Sequence, residues 1–198
     1  MRLGKWLFAS AVTILLSWAD PSFATVVKAV PLDVLVSTSR WVVIGTVSST
    51  KCHYEMIGGI RRIVTESSVV VESVIGQRKK EEGLMSKVIT VKTLGGTLEG
   101  VTEVTLGEAV LLPGNKHLLF LDQENSDTVH VVAMAQGQYW VRTDSRGHLV
   151  VYPSTGLDVV LDRAQSAVTT LSGKTLEQVK TLVNLALKQG ASKIKRAL

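Results

Sequence analysis

Cys52, His53 and Glu55, in the stretch "TKCHYEMIGGI", put a thiol, an imidazole and a carboxylate within four residues of one another. Converging groups of these types bind transition metals or activate a nucleophile. Neighbours on an extended chain point to opposite sides, so these three meet only if the chain bends sharply. The remaining histidines, His117, His130 and His148, have no partner at helical spacing, and no His-Glu-x-x-His motif occurs. No metal ligand is assigned on this pattern. The glycines of "VKTLGGTLEG", Val91 to Gly100, raise the separate question of a phosphate cradle. Their spacing fits neither the dinucleotide fingerprint nor the loop ending in Gly-Lys-Ser/Thr, and no helix pattern follows. Gly95 and Gly96 read instead as backbone devices that let the chain turn or pass close to a sheet. Hydrolytic chemistry has no Gly-x-Ser-x-Gly elbow, and Ser145 sits in a turn-forming context. Glu81 and Glu82 belong to a mixed-charge segment of the kind that is solvated surface. The sequence therefore points to no catalytic residue and no cofactor, and to a non-enzymatic protein. A metal-binding or enzymatic protein centred on Cys52, His53 and Glu55 is the alternative.

Binding is the function class left. Tyr139 and Trp140 are adjacent in a strand-like segment and should face opposite ways, one toward a core and one toward a surface. With Arg142 they mark one candidate face, Gln136 to Arg142. Cys52, His53 and Tyr54, in a connection running to Gly59, mark the other.

The elements that must position these residues are mostly strands. "WVVIGTVSS" is nearly continuous in apolar and β-branched residues, which predicts a strand buried on both faces over part of its length. In "RRIVTESSVVVESVIG", Ile63, Thr65, Ser67, Val69, Val71 and Ile75 share one side, while Arg62, Glu66, Ser68 and Glu72 alternate on the other. Ser67 and Ser68 suggest a bulge in this long strand, and Gly58-Gly59 a turn before it. "KVITVKTLGG", "HLLFLD", "TVHVVAMAQ", "QYWVRT" and "HLVVY" supply further strands, with "PGN" a turn and "DSRG" a type I turn from Asp144 to Gly147. A short helix after Pro31 offers Leu32, Val34 and Leu35 to a core. "TLEQVKTLVNLALKQG" changes to helical period, with Leu176, Val179, Leu182, Val183, Ala186 and Leu187 on one face. Thr175 and Gln178 have capping-box spacing, and Gly190 sits where the helix should end.

The 198 residues, 45% hydrophobic and 20% charged, allow a packed domain rather than a disordered chain. Residues 1–24 read as a secretory signal: Arg2 and Lys5, an apolar run from Trp6 to Trp18, then Ser22 and Ala24 flanking Phe23. Export to the periplasm or the medium follows, with a β domain over 25–172, a helix over 173–190 and a basic tail over 191–198. The apolar run is shorter than the ~20 residues that span a bilayer, so no membrane span is expected after cleavage. Cys52 is the only cysteine, so no internal disulfide can form. The formal charge of +5 comes largely from the end of the chain, where Lys174, Lys180, Lys188, Lys193, Lys195 and Arg196 face Glu177 alone. A main domain close to neutral argues against a nucleic-acid groove.

The order "WVVIGTV", "RIVTESSVVVESVIG", "ITVKTLGG", "GEAVLLPGNKHLLFL" and "VVAMAQGQYWV" resembles a family of exported bacterial proteins without a settled activity, over roughly Pro31 to Val141. More distantly it is similar to the netrin-type module of tissue inhibitors of metalloproteinases. That resemblance implies an antiparallel, OB-like β-barrel with flanking helices. In that family an N-terminal cysteine chelates the protease zinc; a chain maturing at Thr25 with no disulfide has no counterpart. The resulting expectation is a mainly β protein, monomeric or weakly associating, binding a protein of the envelope or medium, with a secreted metalloprotease as the sharper guess.

Overall fold

The computed structural model describes residues 27–77, 86–125, 128–157, 160–161 and 163–197. The signal segment read over residues 1–24, and Glu81 with Glu82, lie outside them. In chain order come β1 (Val27–Lys28), α1 (Leu32–Thr38), β2 (Trp41–Ile57), β3 (Ile60–Gln77), β4 (Val88–Leu94), β5 (Gly96–Leu98) and β6 (Val101–Glu103). Then follow β7 (Lys116–Asn125), β8 (Thr128–Val131), β9 (Gln138–Thr143), β10 (Leu149–Pro153), β11 (Val160–Leu161), α2 (Ala167–Leu171) and α3 (Leu176–Ala197). Among the described residues no helix is long and apolar enough to cross a membrane.

Seven strands form one sheet in the order β10-β9-β7-β2-β3-β4-β8, and β8 pairs with β7 as well, giving a ring-like arrangement. This corrects the expected OB-like, netrin-type barrel. The sheet is mainly antiparallel, with a helix before it and helices after it in the chain as read, but it is not a closed barrel. Its seam between β4 and β8 is parallel and holds only Val91 against Val129 and Lys92 against His130. β9 and β10 continue the sheet outside the ring, and β2 and β3 overhang it as a long hairpin.

The sheet buries both faces, and the continuous apolar run of β2 is the cause. Trp41, Val43 and Val47 join Val69, Val91, Leu119 and Leu121 in a core within the ring. Val42 and Ile44 face the other way, into a second core with Phe120, Tyr139, Leu35 of α1, Leu171 of α2 and Val183 of α3. A side-chain period of two thus feeds two cores from one strand. In α1 it is Val36, not the expected Val34, that is buried beside Leu35; Val34 is exposed.

Helix α3 starts where its capping box predicts. The Thr175 amide donates to Gln178 Oε1 at 3.0 Å, and the Gln178 amide to Thr175 Oγ1 at 3.4 Å. Val179, Val183 and Ala186 are buried, with Leu176, Leu182 and Leu187 packed around them. The helix runs through Gly190 to Ala197 rather than ending there, and so takes in most of the expected tail. One glycine inside a helix costs only about 1 kcal/mol, too little to stop it.

Candidate functional site

A β-bulge decides which side chains of β2 can work together. Val47 opposes Val69 and Ser49 opposes Ser68, so Ser48 is an extra residue on β2, facing the Ser67-Ser68 pair where a bulge was expected. Up to Val47 the odd positions face the ring core. After Ser48 the even ones do: Thr50 opposes Ser67, Cys52 opposes Thr65 and Tyr54 opposes Ile63. Cys52 is thereby turned inward, and His53 and Glu55 outward. The three candidate ligands are split between opposite faces of one strand. Cys52 to Ile57 are strand rather than connection, and only Gly58 and Gly59 turn, with φ of 57° and 81°.

On the outward face Glu55 Oε2 accepts from Lys92 Nζ at 2.8 Å and lies 3.4 Å from His53 Nε2. The Lys92 hydrogen bond holds the Glu55 carboxyl below its usual range, with His53 adding to the effect. A carboxylate already balanced by an ammonium is a poor start for a cation site. Among the described residues no three His, Cys, Asp or Glu side chains converge as a metal site. Tyr54, on the other face with Cys52, is roofed by the Arg61 guanidinium, 3.7 Å from its ring centroid.

On the inward face lies a cleft of about 360 Å³, lined by Thr50 and Cys52 of β2, Thr65 of β3, the β5–β6 hairpin and the segment 104–112. The glycines that raised the phosphate question build its wall. Gly95 and Gly96, with φ of 94° and 136°, carry the chain from β4 into β5, and a short hairpin follows instead of a helix. Thr65 Oγ1 donates to the Gly95 carbonyl at 2.6 Å and sits 3.3 Å from Cys52 Sγ. Glu103 fastens the hairpin to β3: its carboxylate takes Arg62 Nε and, at 2.8 Å, the Ile63 amide. The Ile63 hydrogen bond, then Arg62, keeps its carboxyl below the ordinary range. Glu108, on the opposite wall, is pushed up by burial. Val101, Val104, Leu106, Val110 and Leu112 stand exposed along the hairpin and segment, between 43% and 75% accessible.

The segment carrying those aliphatic side chains has no strand of its own and is held by a buried glutamine. Gln138 Oε1 accepts from the Val110 amide at 2.9 Å and from Ser154 Oγ at 2.7 Å, while its Nε2 donates to the Val110 carbonyl. The side chain satisfies both backbone groups of Val110, as a neighbouring strand would. Gln136 treats the N-terminal segment alike, accepting from the Val30 amide and donating to the Lys28 carbonyl. Sequence reasoning placed Gln136 on a binding face and passed over Gln138, because glutamine is ordinarily a surface residue; both are buried instead. The signal available was their spacing of two, Gln138 opening a strand whose first residues are core and Gln136 in the turn just before it.

The second candidate face divides. Tyr139 is fully buried in the core beside Phe120 and so is not part of a binding surface. Trp140 is half-buried, its ring 4.7 Å from that of His117, with the exposed Arg142 guanidinium 5.3 Å from its centroid. β7 separates β9 from β2 in the sheet, so Trp140 and Arg142 do not join Cys52, His53 and Tyr54 in one site.

His117 carries a pH dependence. Burial holds its pKa down at about 4, so the folded protein keeps the imidazole neutral where an unfolded chain, at about 6.5, binds a proton. Its stabilising contribution is complete above pH 6.5 and is lost as pH falls from there toward 4. The expected loss is about 3 kcal/mol. Glu108, raised by burial, works oppositely: its contribution is present below the usual carboxylate pKa and is lost as pH rises through its folded value. Comparing urea unfolding of the parent with His117→Gln between pH 7 and pH 4.5 isolates the histidine. The parent should lose stability more steeply; parallel curves would show that His117 is not responsible.

No protein-family model matches the chain, and no curated protein matches it. With a sheet that is not a closed barrel, this overturns the resemblance to the exported bacterial family and to the netrin-type module.

Proposed function

We propose that this chain is an exported, non-enzymatic binding module that engages another protein of the envelope or medium through the cleft beside Cys52 and its aliphatic rim. The observation that carries the reading is the exposure of Val104, Val110 and Leu112, which line that cleft, with Val101 and Leu106 exposed beside them on the same hairpin and segment. Scattered exposed aliphatics are ordinary, but a set gathered along one hairpin and one segment has the character of an interaction surface. The cleft floor supports binding more than turnover. Its thiol and threonine hydroxyl bond to each other and to a carbonyl, and the carboxylates of the cleft are engaged as well, Glu103 by Arg62 and the Ile63 amide and Glu108 by the Leu94 and Ala109 amides. Export rests on the basic, apolar and small-residue pattern of residues 1–24. The metalloprotease partner rested on the netrin resemblance and goes with it.

The experiment is capture from the native envelope and culture medium by immobilised protein, comparing the parent with Val104→Asp/Leu106→Asp. Both side chains are exposed, so melting temperature should stay within a few degrees. The double variant should lose at least about tenfold in affinity for whatever the parent retains, since charges then stand in the apolar centre of the contact. Equal retention by the two proteins would refute the rim as the binding surface.

A further inference from the structure

Among the described residues the sheet leaves a long strand edge open. β2 pairs with β7 only over Trp41–Thr46, and Val47 adds backbone bonds to Asn115 and Gly114. From Ser49 to Ile57 the strand pairs with β3 on one side, and no described backbone is hydrogen-bonded to its other side. No proline interrupts this stretch. At ~3.4 Å per residue it spans about 30 Å, enough to template a further strand.

The side chains along this edge have a two-fold order that selects the occupant. Lys51 and Glu55 lie on one face with His53 midway between them. When two copies pair antiparallel about His53, Lys51 of each stands opposite Glu55 of the other. On the opposite face Thr50 meets Met56 and Cys52 meets Tyr54, while on the first face the stretch ends with Ser49 against Ile57. Every pairing recurs in both halves, which is the condition for a closed two-fold dimer. Lys51 is exposed. Glu55 holds Lys92 and His53 through Oε2, leaving Oε1 to accept from Lys51 of the second copy. Opposite charges facing across strands favour such a pairing, and like charges oppose it.

We propose that two copies of this chain join by antiparallel pairing of β2 over Ser49–Ile57, with the two-fold axis at His53. The pairing stretch shares Thr50 and Cys52 with the cleft but no residue of the aliphatic rim, and its test reads self-association rather than capture of another protein, so its failure is distinguishable from that of the binding function above. It is tested by sedimentation equilibrium of the purified chain and of the variants K51E and E55K, whose side chains lie at the surface. The parent should dimerise. Each variant alone, placing like charges opposite each other twice, should weaken the dimer by about tenfold. An equimolar mixture should restore it, because K51E and E55K chains then face each other with opposite charges at both positions. In a Cys52→Ser background, His53→Cys should oxidise to a covalent dimer, since residues facing across a two-fold antiparallel pair stand ~4.5–5.5 Å apart at Cα. Ser49→Cys in the same background, facing Ile57, should not. A parent chain that stays monomeric at every concentration, a dimer indifferent to both charge reversals, or crosslinking of Ser49→Cys equal to that of His53→Cys overturns the proposal.

Discussion

Gly96→Val is expected to cost about 4 kcal/mol, the sum of a strained backbone and an overpacked site. Gly96 has φ of 136°, where a β-branched residue is poorly accommodated. A Cβ there would stand 2.5 Å from Thr65 Oγ1 and 2.7 Å from Cys52 Sγ. Thr65 cannot swing away cheaply, because its hydroxyl holds the Gly95 carbonyl at 2.6 Å. Gly100→Val is the control. It too has positive φ, 79°, but open space where the Cβ would go, so it should carry only the backbone strain of ~1–3 kcal/mol. Urea unfolding of both variants checks the contrast. If Gly96→Val unfolds no earlier than Gly100→Val, the close approach of the hairpin to Cys52 and Thr65 is not what fixes this glycine.

That glycine also shows which parts of the structure were legible in the sequence. The phosphate idea failed on spacing alone, and Gly95 and Gly96 do make a close backbone passage; that Gly96 passes the Thr65 hydroxyl and the Cys52 thiol, and Gly95 the Glu103 carbonyl, was not in the reading. The "DSRG" turn is as read, with the Gly147 amide bonded to the Asp144 carbonyl at 3.1 Å. Such features are local, set by φ and by bonds across a few residues, and the sequence states them directly. The ring-like sheet is a different case. β7 pairs along its length with β2, β9 and β8, and no property of "HLLFLD" says how one strand divides its two edges among three partners. Nor could pattern place the bulge. Two serines on β3 marked its position, but the extra residue is Ser48 on the facing strand, and that choice decides whether Cys52 or His53 faces the cleft. Hydrophobic alternation reports the face of a residue only while register holds. The buried glutamines were illegible for a third reason: the backbone groups they satisfy lie 28 and 106 residues away.

Val183→Asp should be the other severe substitution, and it tests whether α3 belongs to the domain or rides on it. Val183 is fully buried, and a Cβ at Gly76 of β3 would fall 2.7 Å from Val183 Cγ1. The helix therefore presses on the strand backbone at a point that a side chain would block. An aspartate there loses about 2 kcal/mol of apolar burial and places a carboxylate among Val42, Phe120 and Val179. The total should reach about 4 kcal/mol, or roughly 8–16 °C in melting temperature for a chain of this size. Leu185→Asp, on the exposed face of the same helix, should change stability by no more than about 0.5 kcal/mol. The informative readout is cooperativity. Val179, Val183 and Ala186 share one core with Tyr139 and Phe120, so loss of helix in the far-ultraviolet and loss of tyrosine packing in the near-ultraviolet should coincide. An early helix transition that leaves the tyrosine signal intact would make α3 an appendage. A single earlier transition in both signals would make it part of the fold that holds the cleft.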